Sequence, residues 1–494
     1  MFRNLSFLAV FIPACLAASD TNCPVAIVGG GAGGLHTAFR LGATMHGDVC
    51  LFEKESQLGG RVKDVARTTG GPVYGTGALR VMETQDIVFA LAKELRITLQ
   101  EAPYLDDRIS ARGVFAYDSD TINNLAYPQV PDSDTETALY DKLRFGPERD
   151  NVDQYADYRS YVRKVAGEEQ YHFLTDVFRF RGDFTYPLSA KAYLQFLDED
   201  WDVCCVGSYP VGGMSAFIRA MEAKALAAGV RIYYSSPISK IVKRGSHYVL
   251  TTPDGEVRAD RLVIAVDSEG MKHISGEIAH QIKSQPQFKD IVGIKVATVT
   301  QWYPDAWWLK AVPNKDIRRA WTTESCVNAL EIPINPYAAD QKVMRSVYVD
   351  DLQCVNFWEQ TYQRGGTAAV EAEIKHGFEY LFPGAAIPDP LKTYVQIWPA
   401  GWHFLRAGSP YNNLDIASWA IQPIAGEAVS LVGESYNTQR SGWTDGAYKS
   451  SINTLNTMFG MNLPGQTADL SGPMIPVSKA VKRERSVKVQ GPRR

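Results

Sequence analysis

Residues 24–61 read PVAIVGGGAGGLHTAFRLGATMHGDVCLFEKESQLGGR. Four apolar residues, Val25 to Val28, predict a short strand buried on both faces. Gly29, Gly31 and Gly34 then supply the spacing G-x-G-x-x-G. The first permits a tight turn, the second lets backbone approach a pyrophosphate, and the third lets the next helix lie close on the strand. That helix opens at Leu35 and runs to about Thr44, with its first N–H groups aimed at the phosphates. Val49 to Phe52 predicts a second strand. Glu53 closes it, 24 residues after Gly29, where a carboxylate accepts hydrogen bonds from the hydroxyls of an adenosine ribose. A glycine motif alone also occurs in other α/β folds. Strand, helix and acid at these distances together point to a dinucleotide site.

The residues after the acid, Gln57-Leu58-Gly59-Gly60-Arg61-Val62, select the dinucleotide. Here the chain resembles the flavin-containing amine oxidase superfamily, in which a GGR segment lies along the FAD pyrophosphate. The resemblance implies FAD as cofactor and places Gly60 and Arg61 beside the phosphates, whose charge a guanidinium neutralises well.

Residues 70 to 99 hold the small residues Gly75, Gly77 and Ala78, then Leu79-Arg80, then a helix with Ile87, Ala90, Leu91 and Leu95 on one face. This stretch resembles the L-amino acid oxidase branch. It implies that Gly77, Ala78, Leu79 and Arg80 lie along the isoalloxazine and that Arg80 holds the substrate carboxylate through two charge-assisted bonds. The competing reading pairs Arg80 with a structural acid or the FAD phosphate. The resemblance continues along the chain. Near Ile238 the backbone is expected to touch adenine. Lys295, in Gly-Ile-Lys-Val-Ala-Thr-Val, is expected inward on a strand, bridged through water to flavin N5 and supporting reoxidation by oxygen. Trp398 is expected beside the flavin, with Trp402 as a second aromatic of the same loop. Glu434 follows an apolar strand, Val429 to Gly433, and is expected at the ribityl chain. Gly442, Trp443 and Thr444 open a last helix whose N-terminus would face the flavin. In that branch the glycine carbonyl receives the substrate amine and the tryptophan closes the pocket. His403 is read as structural.

One departure stands out. Glu331-Ile332-Pro333 occupies the place where the better-known amino acid oxidases carry tyrosines before a proline. A glutamate there would suit a basic substrate side chain, such as lysine or arginine; the alternative is a surface glutamate.

The 494 residues exceed one core, so two or three domains are expected. The fold expected is α/β (α+β overall): a discontinuous Rossmann-type FAD domain (22–62, 209–290 and 424–463), a mixed-sheet substrate domain (63–120 and 291–423), a helical insertion (121–208) and a flexible basic tail (464–494). Net charge of −4 offers no case for nucleic acid. Residues 1–18 resemble a secretory signal, with Arg3 ahead of the mostly apolar run Leu5 to Ile12 and small residues at Ala14 to Ala18; that run is too short to anchor in a bilayer. Secretion, and no membrane anchor, are therefore expected. Cys15 falls in this segment. The other six cysteines permit one or two disulfides, whose pairing is not fixed by spacing, and with no C-x-x-C they do not suggest a metal site. The mature chain has no N-glycosylation sequon, since the one at Asn4 lies in the signal.

The function implied is oxidative deamination of L-amino acids to 2-oxo acids, with ammonia and hydrogen peroxide released and oxygen as co-substrate. The rival enzyme is a polyamine or monoamine oxidase of the same superfamily, which needs no carboxylate anchor. A third reading is a secreted flavin-binding protein without turnover. Side-chain preference and oligomeric state, including a homo-oligomer, stay open.

Overall fold

The computed structural model describes residues 21–82, 84–101, 106–200, 207–312, 317–332, 342–437 and 442–465. The signal segment, Cys204, Cys205, Pro333, Ser441 and nearly all of the basic tail lie outside the described residues.

Five short strands form one all-parallel sheet in the order Arg231–Tyr233, Val49–Phe52, Val25–Val28, Arg261–Ile264, Val429–Leu431. These segments are distant in sequence, so the Rossmann-type domain is discontinuous. Its strands are apolar along their length because both faces are covered. Val25, Ile27, Leu51 and Val263 pack under the helices Ala32–Met45, Ser215–Ala227 and Thr444–Phe459. Their neighbours Ala26, Val28, Phe52, Leu262 and Ile264 face the antiparallel strands Lys240–Arg244, His247–Thr252 and Gly255–Ala259. The pairing Thr252↔Gly255 leaves Pro253-Asp254 as the two-residue turn.

A seven-stranded mixed sheet forms the second domain, in the order Lys392–Leu405, Ile291–Trp302, Val343–Val349, Ala329–Glu331, Ile317–Thr322, Asp106–Ala111, Val114–Ala116. Only the pair Ile317–Thr322 with Asp106–Ala111 is parallel among the described strands of this sheet. One face is sealed by Leu352–Leu381, through Ala297, Val299, Val347 and Val349 against Val355 and Trp358. That helix starts on Asp351, whose side chain accepts from Cys354 N–H, and breaks at Gly366.

The insertion is helical, with Glu136–Phe145, Tyr158–Val165, Glu168–Val177 and Ala190–Asp200 among its elements. Thr135 and Asp157 cap two of these by accepting a third-residue N–H. Its tyrosines are core: Tyr127, Tyr140, Tyr158, Tyr161 and Tyr193 are fully buried. In the helix Asp86–Leu95 the buried face is Val88, Leu91, Ala92 and Leu95, and Ala90 is exposed. The expected stripe was therefore rotated: Ile87 and Ala90 sit beside, not on, the line that packs against Ser215–Ala227 and Thr444–Phe459.

Two disulfides join described residues, Cys23–Cys50 across the start of the parallel sheet and Cys326–Cys354 between the second domain's sheet and its long helix.

Candidate active site

The glycine turn has the geometry its sequence requires. Gly29 sits at φ +100°, and a Cβ on Gly34 would lie 2.0 Å from Gly29 O. Gly31 differs: a Cβ there would meet nothing within 4 Å. Packing within the protein does not demand a glycine at 31, whereas a pyrophosphate drawn onto the backbone does. The helix Ala32–Met45 begins at Gly31 with no side-chain cap and no acid in its first turn, so its N–H groups and dipole suit an anion. Glu53 is buried and accepts from Gly30 N at 2.7 Å and Glu55 N at 2.9 Å. That leaves acceptor capacity on each oxygen. Ser236 N donates to Glu53 O at 2.8 Å, which brings the segment ending at Ile238 back to the acid. These residues fit the FAD dinucleotide.

Gly59 N donates to Gly30 O at 2.9 Å, which carries Arg61 alongside the glycine turn. Arg61 donates to Gly401 O at 3.0 Å and to Glu434 Oε1 at 2.6 Å. Glu434 also contacts His403 Nδ1 at 2.5 Å and accepts from Gly442 N at 2.9 Å. Burial would push the Glu434 carboxyl up, but Arg61 and His403 outweigh it and hold it at about 2. Three of its roughly four acceptor sites are thus engaged by the protein. Its first task is to fix Arg61, His403 and the start of Thr444–Phe459, with less capacity left for a ribityl hydroxyl than expected. No side chain caps that helix among the described residues, and Trp443 stands at its N-cap.

The Gly75–Arg80 strip crosses between the domains. A Cβ on Gly77 would come 1.9 Å from Arg61 O and 3.3 Å from Trp398 Cζ2. Trp398 Nε1 reaches Thr76 O at 3.4 Å, and Thr298 Oγ1 donates to the same oxygen at 3.0 Å. Trp398 and Gly77 are therefore brought together. Lys295 is not with them. Along Ile291–Trp302 the side chains alternate, and Ala297 and Val299 face Leu352–Leu381. Lys295 shares that face: its ammonium donates to Glu359 Oε2 at 2.6 Å and Asn356 Oδ1 at 3.3 Å, both on the long helix. The strand residue that reaches Thr76 is Thr298, and the expectation for Lys295 is corrected accordingly.

A second cluster surrounds Glu331. Arg80 Nη1 donates to Glu331 Oε1 at 2.9 Å and Arg179 Nη1 to the same oxygen at 3.2 Å. Arg345 Nη1 donates to Oε2 at 3.2 Å, and its Nη2 to Gly75 O at 2.7 Å and Gly77 O at 3.0 Å. Cross-strand register explains this: Glu331 is paired with Arg319 on one side and Arg345 on the other. Burial opposes ionisation of Glu331, but the three guanidiniums win and hold its carboxyl at about 2. Glu331 is therefore neither a surface residue nor free to receive a basic substrate, because its charge is already met three times over. Arg80 does pair with a structural acid, through one of its N–H groups among the described residues.

Beside the arginines stand Phe180, Tyr348 and Trp402, with ring centroids 5.5 to 6.1 Å apart. Trp402 Cβ lies 3.1 Å from where a Gly442 Cβ would be, so this aromatic wall adjoins Gly442. Sequence reasoning missed Arg179, Arg345 and Tyr348. The available signals were an arginine inside an apolar strand, Val343–Val349, and one between aromatics in Phe178-Arg179-Phe180.

A sequence model of flavin-containing amine oxidoreductases matches residues 32–454. The chain belongs to that family. Its cofactor is FAD, and it is an oxidoreductase acting on amines. No curated protein sequence gives a significant match. Solved structures of putrescine oxidase are similar in fold. The wild type bound to putrescine is 16% identical with a TM-score of 0.66, covering 90% of this chain and 100% of that one. A double mutant redesigned in cofactor binding is 17% identical with the same TM-score and coverage. Among the described residues no helix is long and apolar enough to cross a membrane.

Proposed function

We propose that this family member is a secreted L-amino acid oxidase, converting an L-amino acid, oxygen and water to a 2-oxo acid, ammonia and hydrogen peroxide. The observation that carries this is the excess of cationic charge around Arg80. Four guanidiniums, Arg80, Arg179, Arg319 and Arg345, face two carboxylates, Glu331 and Asp107. A substrate carboxylate is attracted there. A diamine such as putrescine carries two positive charges, and each of the two surplus positive charges of the cluster, at a separation of about 6 Å, would oppose each of them by about 3 kcal/mol at an effective dielectric near 20.

Bound FAD supplies the two-electron acceptor for oxidation of the amine. The chain's own residues bind and orient. Arg80 fixes the carboxylate, which sets the direction of the Cα–N bond. The Gly442 carbonyl accepts an N–H of the neutral amine, and Trp402, Tyr348 and Phe180 exclude water from the far wall. Gly31, Glu53, Arg61 and the uncapped start of Ala32–Met45 hold the dinucleotide.

The putrescine oxidase likeness favours a second reading, an amine oxidase of that kind. At 16–17% identity that likeness carries the fold alone. Secretion is supported by the pattern of residues 1–18 and by the two disulfides, which persist in oxidising compartments. Mass spectrometry of the protein from medium, with a mature N-terminus after residue 18, tests it. Peroxide release from L-amino acids, compared with amines lacking the carboxylate, tests the activity; release from the amines alone refutes it.

A further inference from the structure

The arginine cluster holds more donors than one substrate carboxylate uses. Arg345 gives Nη1 to Glu331 and Nη2 to the carbonyls of Gly75 and Gly77, and its Nε is buried behind them without a partner. Arg319 is committed to Asp107 through two bonds of 2.6 and 2.5 Å. Arg80 and Arg179 each give one N–H to Glu331 Oε1, and among the described residues their remaining N–H groups have no partner. Because both touch one oxygen, at 2.9 and 3.2 Å, these two guanidinium nitrogens lie within about 6 Å of each other. They come from different elements. Arg80 follows the strip that meets Trp398, and Arg179 follows the insertion helix Glu168–Val177 and stacks 4.9 Å over Phe180.

We propose that this pair holds two carboxylates of one molecule, Arg80 the α-carboxylate and Arg179 that of the side chain, so that the preferred substrates are amino dicarboxylates of the glutamate or aspartate class. The assignment rests on the amino acid oxidase reading and specifies its side-chain preference. The Arg179 environment supports it. Burial first, then the like charges of Arg319 and Arg80, pull its guanidinium down to about 9. A cation so disfavoured gains from an added anion. Its side chain is only 12% exposed, so that anion would be bound largely out of water, where charged hydrogen bonds are strongest. Lysine and arginine, by contrast, would bring a further cation to the same place.

The test uses the FAD-loaded protein and two unreactive probes, glutarate and butyrate, titrated against the flavin absorption spectrum. Glutarate is expected to bind roughly 10- to 100-fold more tightly than butyrate, the worth of one charged hydrogen-bonded contact. Arg179→Gln should remove most of that difference and Arg179→Lys restore part of it. In turnover, the kcat/KM ratio of L-glutamate to L-glutamine should exceed ten and fall towards one in Arg179→Gln. Should the variants fail to fold, the probe pair and the substrate pair on the unaltered protein still decide. Equal binding of glutarate and butyrate, with neutral amino acids reducing the flavin as fast as glutamate, overturns the proposal and leaves the oxidase reading standing. Tight glutarate binding with no amino acid reducing the flavin leaves the dicarboxylate site and removes the oxidase reading.

Discussion

Replacing Glu331 by glutamine keeps the shape of the cluster and deletes its central charge. Its carboxyl lies at about 2 against an ordinary 4.5, a gap that corresponds to about 3 kcal/mol of stability. The folded value is the lower one, so this stabilisation is complete above about pH 4.5 and is lost as pH falls through about 2. Glu331→Gln should therefore lower unfolding free energy by about 3 kcal/mol at pH 7, within the range for breaking a buried ion pair. Near pH 3 the difference from the unaltered protein should shrink to about 1 kcal/mol, because that protein is itself losing the stabilisation. Urea unfolding of the FAD-loaded proteins, followed by tryptophan fluorescence at both pH values, measures this. Equal stability at pH 7, or a deficit that does not shrink in acid, would refute the claim that the three arginines hold Glu331 ionised.

Lys295→Met should leave the rate at which oxygen reoxidises the reduced flavin within about twofold and cost under about 1 kcal/mol, since its pair with Glu359 is partly exposed and faces the long helix; stopped-flow mixing with oxygen reads the first and thermal melting the second. Gly34→Ala should cost about 1–3 kcal/mol and lower bound flavin per protein, because the new Cβ meets Gly29 O at 2.0 Å; flavin absorbance on the purified protein checks it. Removing the Cys326–Cys354 bridge by a double serine substitution should cost about 3–4 kcal/mol from its 28-residue separation, visible as an earlier urea midpoint.

Local sequence carried the nucleotide half of the site because its requirements are local. Gly29, Gly34 and Glu53 answer to turn geometry, close approach and a strand end, all within one βαβ stretch. Arg61 and Glu434 were found from their motifs, but their mutual bond was not, since it joins residues 373 apart. The substrate half depends on register. Glu331 looked available for a cation because nothing nearby in sequence marks Arg80, Arg179 and Arg345 as its neighbours; strand pairing and the insertion bring them together. Lys295 was misplaced by one face of a strand. Period-two alternation puts adjacent residues on opposite faces, and only the packing of Leu352–Leu381 tells which face is which. Trp398, read from sequence as part of a loop, lies in the strand Lys392–Leu405 opposite Val296, a pairing that no local signal marks.

A carboxylate-bearing amine is the substrate proposed for this site. Anaerobic mixing of the purified yellow protein with L-amino acids, and separately with putrescine, tests it without dependence on oxygen chemistry. Bleaching of the flavin colour by L-amino acids, and not by putrescine, is the predicted result. Bleaching by putrescine alone would contradict the role given to Arg80 and its neighbours, and no bleaching by either would leave a flavoprotein that binds without turning over.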